Sequence, residues 1–332
     1  MKIILFIPYY GNWPNYFNLF LKSYENNHKS LDICFITDIA PPTNYPSNVR
    51  FVNYTFNDLL DLIIKKTEIN VPQIIPYKLC DFRPAYGLIF DELIKGYNFW
   101  GYCDIDLIYG DQSLFLTKEV LENNDIISFK KGHLQGPFTI YRNTEHINNL
   151  FKTGGHYKKV FSNPDYCSFD EFGPDCFYVN IRSKSEVIPL PDDNISVIAF
   201  KEEIKGNLRI YNEQNIREDL SKSEVLVYDN GRLYDNKTGK DYFFFHWVLD
   251  KRNIWFRYPK WVNSPPDKYY ITCSGFYSSV SICKLNFLTR KSICFGMAGW
   301  WFLKITNYIK RRIGLEVILD TYPRKGWVKS LK

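Results

Sequence analysis

The chain has 332 residues, a formal net charge of +6 and an aromatic content of 18%, and this length suits one large domain or a domain with an appendage. The mild positive charge is far below that of a dedicated nucleic-acid-binding protein, although it would help to attract an anionic ligand or membrane surface. The eight cysteines include no Cys-x-x-Cys pair, which argues against a zinc or dithiol site and favours a reducing, cytoplasmic setting.

The first part of the chain alternates strand and helix patterns. Residues 2–8 form a continuous apolar run that ends at Pro8, as in a strand covered on both faces; the run is too short for a signal peptide. Apolar periodicity predicts the next elements, namely a helix at 13–26, strands at 31–37 and 49–53, and a helix at 55–66 capped by Thr55. This order indicates an open, largely parallel α/β sheet, in which ligands bind beyond the carboxyl ends of the strands.

Later segments continue this pattern and then change it. The predicted elements are an amphipathic helix at 84–95, an aromatic strand at 97–103, a helical stretch near 112–122, and strands at 125–129 and 137–141. Beyond about residue 190 the pattern changes to short β runs such as 224–228 and 242–247, and Asp229-Asn230-Gly231 between two apolar runs predicts a hairpin turn. We therefore expect a main α/β domain at 1–250 and a β-rich and helical appendage at 251–332.

The C-terminal segment is basic and aromatic. One helical face carries Trp301, Ile305, Tyr308 and Ile309, with Lys304, Lys310 and Arg311 elsewhere around the helix. This pattern is typical of a helix lying in a membrane surface, and equally of one that docks on the core of its own protein. No window approaches the roughly 18 apolar residues that a membrane-spanning helix needs.

Two carboxylates follow the predicted aromatic strand directly, in the sequence Asp104-Ile105-Asp106. Side chains at positions i and i+2 of an extended chain point to the same side, so both can face one ligand. Mg²⁺ and Mn²⁺ prefer oxygen ligands and bridge phosphate oxygens. The alternative is a loop whose aspartates cap the helix that follows.

Residues 76–87 (PYKLCDFRPAYG), followed by Asp104-Ile105-Asp106, resemble a bacterial family of polysaccharide-biosynthesis glycosyltransferases. That family is similar to GT-A enzymes, which carry a Ser-Asp-x-x-Arg helix before their Asp-x-Asp motif. The opening strand with residues 8–11 (PYYG) fits the same pattern, and the resemblance covers roughly residues 1–250. Cys80 stands where more distant relatives have Ser, and Arg83 is closer to Asp81 than in their motif. The resemblance implies a GT-A-like, Rossmann-like fold with a nucleotide-sugar-binding and catalytic domain at 1–250.

The resemblance also implies roles for individual residues. The expected donor-binding positions are Pro8 and Tyr9 against the nucleotide, Asp38 near the base or ribose, Lys78, Asp81 and Arg83 at the donor sugar or phosphates, and Asp104 at the ribose. Asp104 and Asp106 would also bind the metal. Two simpler interpretations stay open: Asp81 as an N-cap of the helix at 84–95, and Lys78 as a solvated charge.

Three further positions complete the predicted site. His246 ends an apolar β run and matches the late histidine ligand of GT-A-like enzymes, although a lone histidine among aromatic residues is often part of a core. Asp170 and Glu171 are the candidate catalytic acids, or else ordinary carboxylates in the first turn of a helix. Gly136 precedes a predicted strand and would let the backbone approach a sugar closely.

The sequence thus predicts a glycosyltransferase of the EC 2.4 class that depends on Mn²⁺ or Mg²⁺. It would move a sugar from a nucleotide sugar, with a UDP-sugar expected, to a saccharide or lipid-linked saccharide acceptor in surface polysaccharide or capsule biosynthesis. We expect it in the cytoplasm, with peripheral contact at the inner face of the plasma membrane. The alternatives are a non-catalytic carbohydrate-binding protein and a nucleotidyltransferase; the N-terminus lacks the glycine-rich, lysine-bearing loop that would cradle a triphosphate.

Overall fold

The computed structural model describes residues 1–25, 27, 31–171, 194–221, 223–252, 256 and 258–279. Its largest element is a seven-stranded sheet with helices on both faces. The strands of this sheet are β1 (Ile3–Pro8), β2 (Leu31–Thr37), β3 (Val49–Asn53), β4 (Phe99–Cys103), β6 (Ile126–Ile127), β7 (Phe138–Arg142) and β8 (Ile210–Tyr211). Their spatial order is β3-β2-β1-β4-β7-β6-β8.

The sheet is largely parallel. Strands β3, β2, β1 and β4 run parallel to one another, β7 is antiparallel to both β4 and β6, and β8 is parallel to β6. The prediction of an α/β fold with a largely parallel sheet flanked by helices is therefore confirmed. The carboxyl ends of β1, β2 and β4 lie at one edge of the sheet, which is where ligands bind in such folds.

Helices cover the sheet on both sides. They are α1 (Phe17–Glu25), α2 (Phe56–Thr67), α3 (Tyr86–Ile89), α4 (Lys118–Asn123), α5 (Glu145–Asn148), α6 (Tyr157–Phe161) and α7 (Ile195–Ile204), with 3₁₀ helices that include Pro76–Ala85 and Asp250–Arg252. Thr55 caps α2 as predicted, in a capping box with Asp58. In β1, Ile4 and Phe6 face one core and Leu5 faces the other, so the strand is apolar throughout because both of its faces are buried.

The structure differs from the sequence prediction around residues 76–95. In place of one amphipathic helix at 84–95, a 3₁₀ helix covers Pro76–Ala85 and only Tyr86–Ile89 is α-helical. Gly87 lies against the ring of Trp100, where an added Cβ would be 2.4 Å from Cε2, so this turn packs tightly on β4. The α-helix ends at Ile89, and the ring of the next residue, Phe90, lies in the core, 4.6 Å from that of Phe6.

Two smaller sheets pack beside the large one. Their strands are β5 (Leu107–Tyr109), β9 (Ile216–Arg217), β10 (Leu226–Asp229), β11 (Arg232–Asp235), β12 (Phe244–His246), β13 (Lys268–Thr272) and β14 (Gly275–Tyr277). The orders are β11-β10-β13-β14 and β5-β12-β9. The predicted hairpin turn joins β10 and β11, with positive φ at both Asn230 and Gly231.

Strand pairing crosses the predicted domain boundary at residue 250, because β10 pairs with β13. Among the residues that the structure describes, no helix has the length and apolar character needed to cross a bilayer. The predicted basic amphipathic helix around 301–311 lies outside the described residues. Its contact with membranes stays a prediction from the sequence.

Candidate metal and donor site

Asp104 and Asp106 follow β4 at the edge of the sheet where the carboxyl ends of the parallel strands lie. The register aligns Phe6 of β1 with Tyr102 of β4. Pro8 and Asp104 each lie two residues farther along, which places the end of β1 beside the first aspartate. Asp104 N–H donates to the carbonyl of Pro137, 3.0 Å away, so its backbone still belongs to the pairing of β4 with the β7 side. The position of the two aspartates therefore follows from buried strands rather than from a free loop.

His246 reaches the aspartates through a strand pairing. Asp106 is followed at once by β5, which pairs antiparallel with β12 so that Leu107 is opposite His246. The imidazole Nε2 lies 3.3 Å from Asp106 Oδ2 and 3.8 Å from Asp104 Oδ2. One possible ligand atom from each of the three side chains lies within 4.8 Å of the other two. The three ligands predicted from the sequence thus lie together.

The donor set fits a divalent cation. Two carboxylates and an imidazole are ligands that Mg²⁺ or Mn²⁺ accepts, with the oxygens dominant. The His246 side chain is 6% exposed, and its Nε2 faces the Asp106 and Asp104 carboxylates without a well-aligned hydrogen bond within the described part of the chain. A buried imidazole nitrogen that faces two carboxylates in this way is suited to binding a cation together with them. The side chain of Asp104, at 28% exposure, is the part of the cluster that opens toward solvent.

Opposing effects set the protonation of the cluster. Burial by itself would raise the pKa of Asp106, but the charges of His246 and Lys251 outweigh it and hold this pKa well below its ordinary value. Burial by itself would lower the pKa of His246, and Asp106 outweighs it, so that the net shift is upward. Asp106 is therefore a carboxylate at neutral pH, the form that binds cations. Only the neutral ring is a metal ligand, so an upward shift of this pKa means that protons compete with a cation for His246.

Lys251 is a residue of this site that the sequence analysis missed. Its Nζ lies 2.5 Å from Asp106 Oδ2, and its side chain is 11% exposed. It belongs to the short 3₁₀ helix Asp250–Arg252, five residues after His246. Its short distance in sequence from His246 was the one feature that could have indicated a place in the site. Its proximity to Asp106, however, depends on the pairing of β5 with β12.

Arg83 connects the candidate metal ligands to the predicted catalytic acids. One guanidinium nitrogen contacts Asp104 Oδ1, and the other lies 3.0 Å from Asp170 Oδ2 and 2.6 Å from the carbonyl of Gly136. The guanidinium also lies over the ring of Tyr102, 5.2 Å from its centre. Arg83 is held from several sides, so it fixes the positions of both aspartates rather than pointing freely at a ligand.

The two candidate acids have different surroundings. Asp170 is 1% exposed, and both of its oxygens are hydrogen-bonded, one by Arg83 and the other by the Tyr166 hydroxyl at 2.8 Å. Glu171 is partly exposed, and its Oε1 accepts from the N–H of Gly136 at 3.1 Å. A Cβ at Gly136 would be 2.2 Å from that oxygen, so a larger residue there would displace the end of the Glu171 side chain. The predicted sugar contact of Gly136 stays a prediction.

Lys78 and Asp81 are fully buried and bonded to the chain. Lys78 Nζ donates to Asp81 Oδ2 at 2.9 Å and to two backbone carbonyls, those of Val160 at 2.8 Å and Asp165 at 2.7 Å. The Asp81 carboxylate accepts from two backbone N–H groups within residues 167–169, each at 2.7 Å. Burial raises the pKa of Asp81, against the opposing charge of Lys78. The geometry therefore shows neither a solvated lysine nor a helix cap. The pair holds the segment that leads to Asp170, and contact of Lys78 or Asp81 with a donor stays a prediction.

The predicted nucleotide-side residues share the edge with the metal group. Tyr9 follows β1, and its ring stacks on that of Trp13 with centres 5.2 Å apart and planes 8° apart. Asp38 follows β2 and is exposed. Pro8 is partly buried at the end of β1 and is paired with Ile36. Contact of Pro8, Tyr9 and Asp38 with a nucleotide stays a prediction.

Comparison of this sequence with models of protein families gives a match. A family model described as a family of unknown function, DUF6625, matches residues 5–279. The chain belongs to DUF6625. The match contains the three candidate ligands and Lys251, and it continues past the predicted domain boundary at residue 250. No curated protein matches this DUF6625 chain.

Two solved structures similar to this DUF6625 member are both of LgtC. One is the crystal structure of the galactosyltransferase LgtC in complex with donor and acceptor sugar analogs; it is 14% identical, covers 50% of this chain and 66% of its own, and has a TM-score of 0.33. The other is an active-site mutant of LgtC, 13% identical, covering 63% of this chain and 96% of its own, also with a TM-score of 0.33. A TM-score of 0.33 is too low for the likeness to bear on function.

Proposed function

We propose that this chain is a divalent-metal-dependent glycosyltransferase that moves a sugar from a nucleotide sugar to a saccharide acceptor. The observation that carries the proposal is the meeting of Asp104, Asp106 and His246 within 4.8 Å of one another. They meet at the ligand-binding edge of a largely parallel α/β sheet. The Asp-x-Asp pattern after a buried strand, and the sequence resemblance of residues 76–106, support the same function.

The side chains of the site divide the work of the transfer. Asp104, Asp106 and His246 would hold the cation, which when bound neutralises charge on a departing nucleotide diphosphate. Arg83 binds the carboxylates of Asp104 and Asp170 and so fixes their positions relative to each other. Lys251 adds a positive charge beside the place where the diphosphate would lie.

Glu171 is the proposed base on the acceptor side of the site. Asp170 is buried with both oxygens engaged, which suits a residue that positions Arg83. Glu171 is partly exposed, and its carboxylate accepts from the N–H of Gly136. The carbonyl of the same glycine accepts from Arg83, which also binds Asp104. The backbone of one residue thus separates the Glu171 carboxylate from the Arg83 guanidinium. An inverting transfer needs a carboxylate to accept the proton of the acceptor hydroxyl, and Glu171 would be that base.

Replacing Glu171 by glutamine should lower kcat by about 100-fold or more while nucleotide-sugar affinity stays the same. The amide keeps the size of the side chain but cannot accept the proton. Single-turnover kinetics and calorimetric titration of the donor measure the two quantities. Asp170→Asn is the control: it should also weaken donor binding, because it releases Arg83. Equal loss of donor affinity in Glu171→Gln would assign that residue to the donor site instead.

A binding experiment tests the function itself. The full chain is titrated with a panel of nucleotide sugars in the presence and absence of Mn²⁺ or Mg²⁺, followed by detection of released nucleotide diphosphate. We expect metal-dependent binding of one donor and its slow hydrolysis. Binding of free oligosaccharide but of no nucleotide sugar would contradict the proposal and favour a carbohydrate-binding protein. Binding of nucleoside triphosphate alone would favour a nucleotidyltransferase.

Finer features of the proposal come from the sequence. They are a UDP-linked donor, Mn²⁺ as the preferred ion, a lipid-linked acceptor, a role in surface polysaccharide or capsule biosynthesis, and a cytoplasmic location at the inner face of the plasma membrane. The panel of donors and ions tests the first two. The lipid-linked acceptor depends on residues beyond 279, which lie outside the described part of the chain.

A further inference from the structure

We infer that Lys251 is a built-in competitor for the cation at Asp106, so that the metal binds tightly only together with an anionic diphosphate. The inference rests on the proposed function, because it takes Asp104, Asp106 and His246 as the cation ligands. It concerns the order and strength of binding, which those three ligands alone do not determine.

The ammonium group contacts the Asp106 oxygen that faces His246. Lys251 Nζ lies 2.5 Å from Asp106 Oδ2, and His246 Nε2 lies 3.3 Å from the same Oδ2. Lys251 therefore occupies the side of the Asp106 carboxylate that faces the other candidate ligand, His246, so an ion held by these two residues would compete with the ammonium. The side chains of Asp106 and Lys251 are 7% and 11% exposed, so water screens their charges poorly.

Each of the two candidate carboxylate ligands is already paired with a permanent cation. Asp106 is paired with Lys251 through Oδ2, and Asp104 is paired through Oδ1 with Arg83, which also pairs with Asp170. A divalent ion that enters alone would bring its two positive charges close to the Lys251 ammonium, and it would have to displace or repel that group.

A diphosphate removes this obstacle. Its negative charge compensates the incoming ion, and it offers oxygens to an ammonium group that leaves Asp106. The lysine side chain suits such a move because it has a flexible four-carbon stem and three rotatable donors. The ring of Tyr16, 5.9 Å from Nζ, presents an aromatic face along which the ammonium can shift. Metal and diphosphate should therefore strengthen each other's binding, and by the same factor.

The test measures Mn²⁺ binding to the full chain by electron paramagnetic resonance, without nucleotide and with saturating UDP. In Lys251→Met, Mn²⁺ should bind at least tenfold more tightly without nucleotide than it does in the unaltered protein, which corresponds to about 1.4 kcal/mol. UDP should raise Mn²⁺ affinity strongly in the unaltered protein and much less in Lys251→Met. Lys251→Arg keeps the charge and should bind free Mn²⁺ as weakly as the unaltered protein.

Two further variants guard the interpretation. Lys66→Met removes a lysine whose Nζ also lies 2.5 Å from a carboxylate, that of Asp91, away from the candidate ligands, and should leave Mn²⁺ affinity unchanged. Lys251→Gln replaces Lys251→Met if the latter does not give a folded protein by circular dichroism. Equal Mn²⁺ affinity without nucleotide in the unaltered and neutral variants would overturn the inference and leave the metal site intact. No Mn²⁺ binding to any of them, with or without UDP, would overturn the proposed metal site itself.

Discussion

Replacing Asp106 by asparagine should remove divalent-cation binding and sugar transfer together. Asparagine has nearly the same size as aspartate but no negative charge. It would therefore attract neither the divalent ion nor the two basic side chains beside position 106, His246 and Lys251. Changes of a residue that only hydrogen-bonds a metal ligand typically cost 10–100-fold in metal affinity, so we expect about 100-fold or more for a direct ligand. Calorimetric titration with Mn²⁺ and a transfer assay with excess metal measure the two losses.

The same substitution should also lower stability, because the Asp106 side chain is only 7% exposed. Asp106→Asn leaves the ammonium of Lys251 beside an amide in a poorly hydrated place. The double variant Asp106→Asn with Lys251→Met removes both charges; it should recover part of the melting temperature and none of the Mn²⁺ affinity. A single variant that binds Mn²⁺ normally would show that Asp106 is not a ligand.

The second large effect is expected at Asp81. Replacing it by alanine leaves the Lys78 ammonium fully buried without its carboxylate, and breaking a buried pair in this way costs about 3–5 kcal/mol in the free energy of unfolding. The backbone N–H groups of residues 167 and 169 lose their acceptor as well. Urea denaturation of the variant and the unaltered protein measures the difference.

A matched control lies on the surface of the same protein. Lys95 and Glu92 form an ion pair with the same three-residue spacing as Lys78 and Asp81, but their side chains are 69% and 71% exposed. Glu92→Ala should therefore leave the free energy of unfolding nearly unchanged. If Asp81→Ala were equally stable and instead lost affinity for nucleotide sugars, the donor contact predicted from the sequence would stand and the structural role would fall.

The parallel half of the sheet was predictable from the sequence because its strands are buried on both faces. Such strands are continuous apolar runs, and the predicted spans for β1, β2 and β3 agree with the structure to within a residue at either end. The position of Asp104 and Asp106 at the ligand-binding edge follows from the same reasoning, since a buried strand that ends in carboxylates delivers them to that edge.

Other parts of the site depend on tertiary contacts, which cannot be predicted from the spacing of apolar residues along the chain. Strand β5 has only three residues and follows Asp106 without a turn signal, so its pairing with β12 could not be read locally. Lys251 reaches Asp106 only through that pairing. For Lys78 and Asp81, the short spacing resembles that of an ordinary surface ion pair, and only the packing of residues 160–169 against them shows that they are buried.

The pairing of β5 with β12 has a consequence for how the protein is made. Lys251 and Asp106 are separated by 145 positions in the chain, so the cluster closes a long loop, which is entropically costly and slow. A nascent chain that has emerged only as far as β7 carries both aspartates but neither His246 nor Lys251. Cation binding should therefore appear only after the end of this domain has been synthesised and docked. Mn²⁺ would then be a reporter of completed folding, and a ligand that stabilises the finished protein over every shorter intermediate.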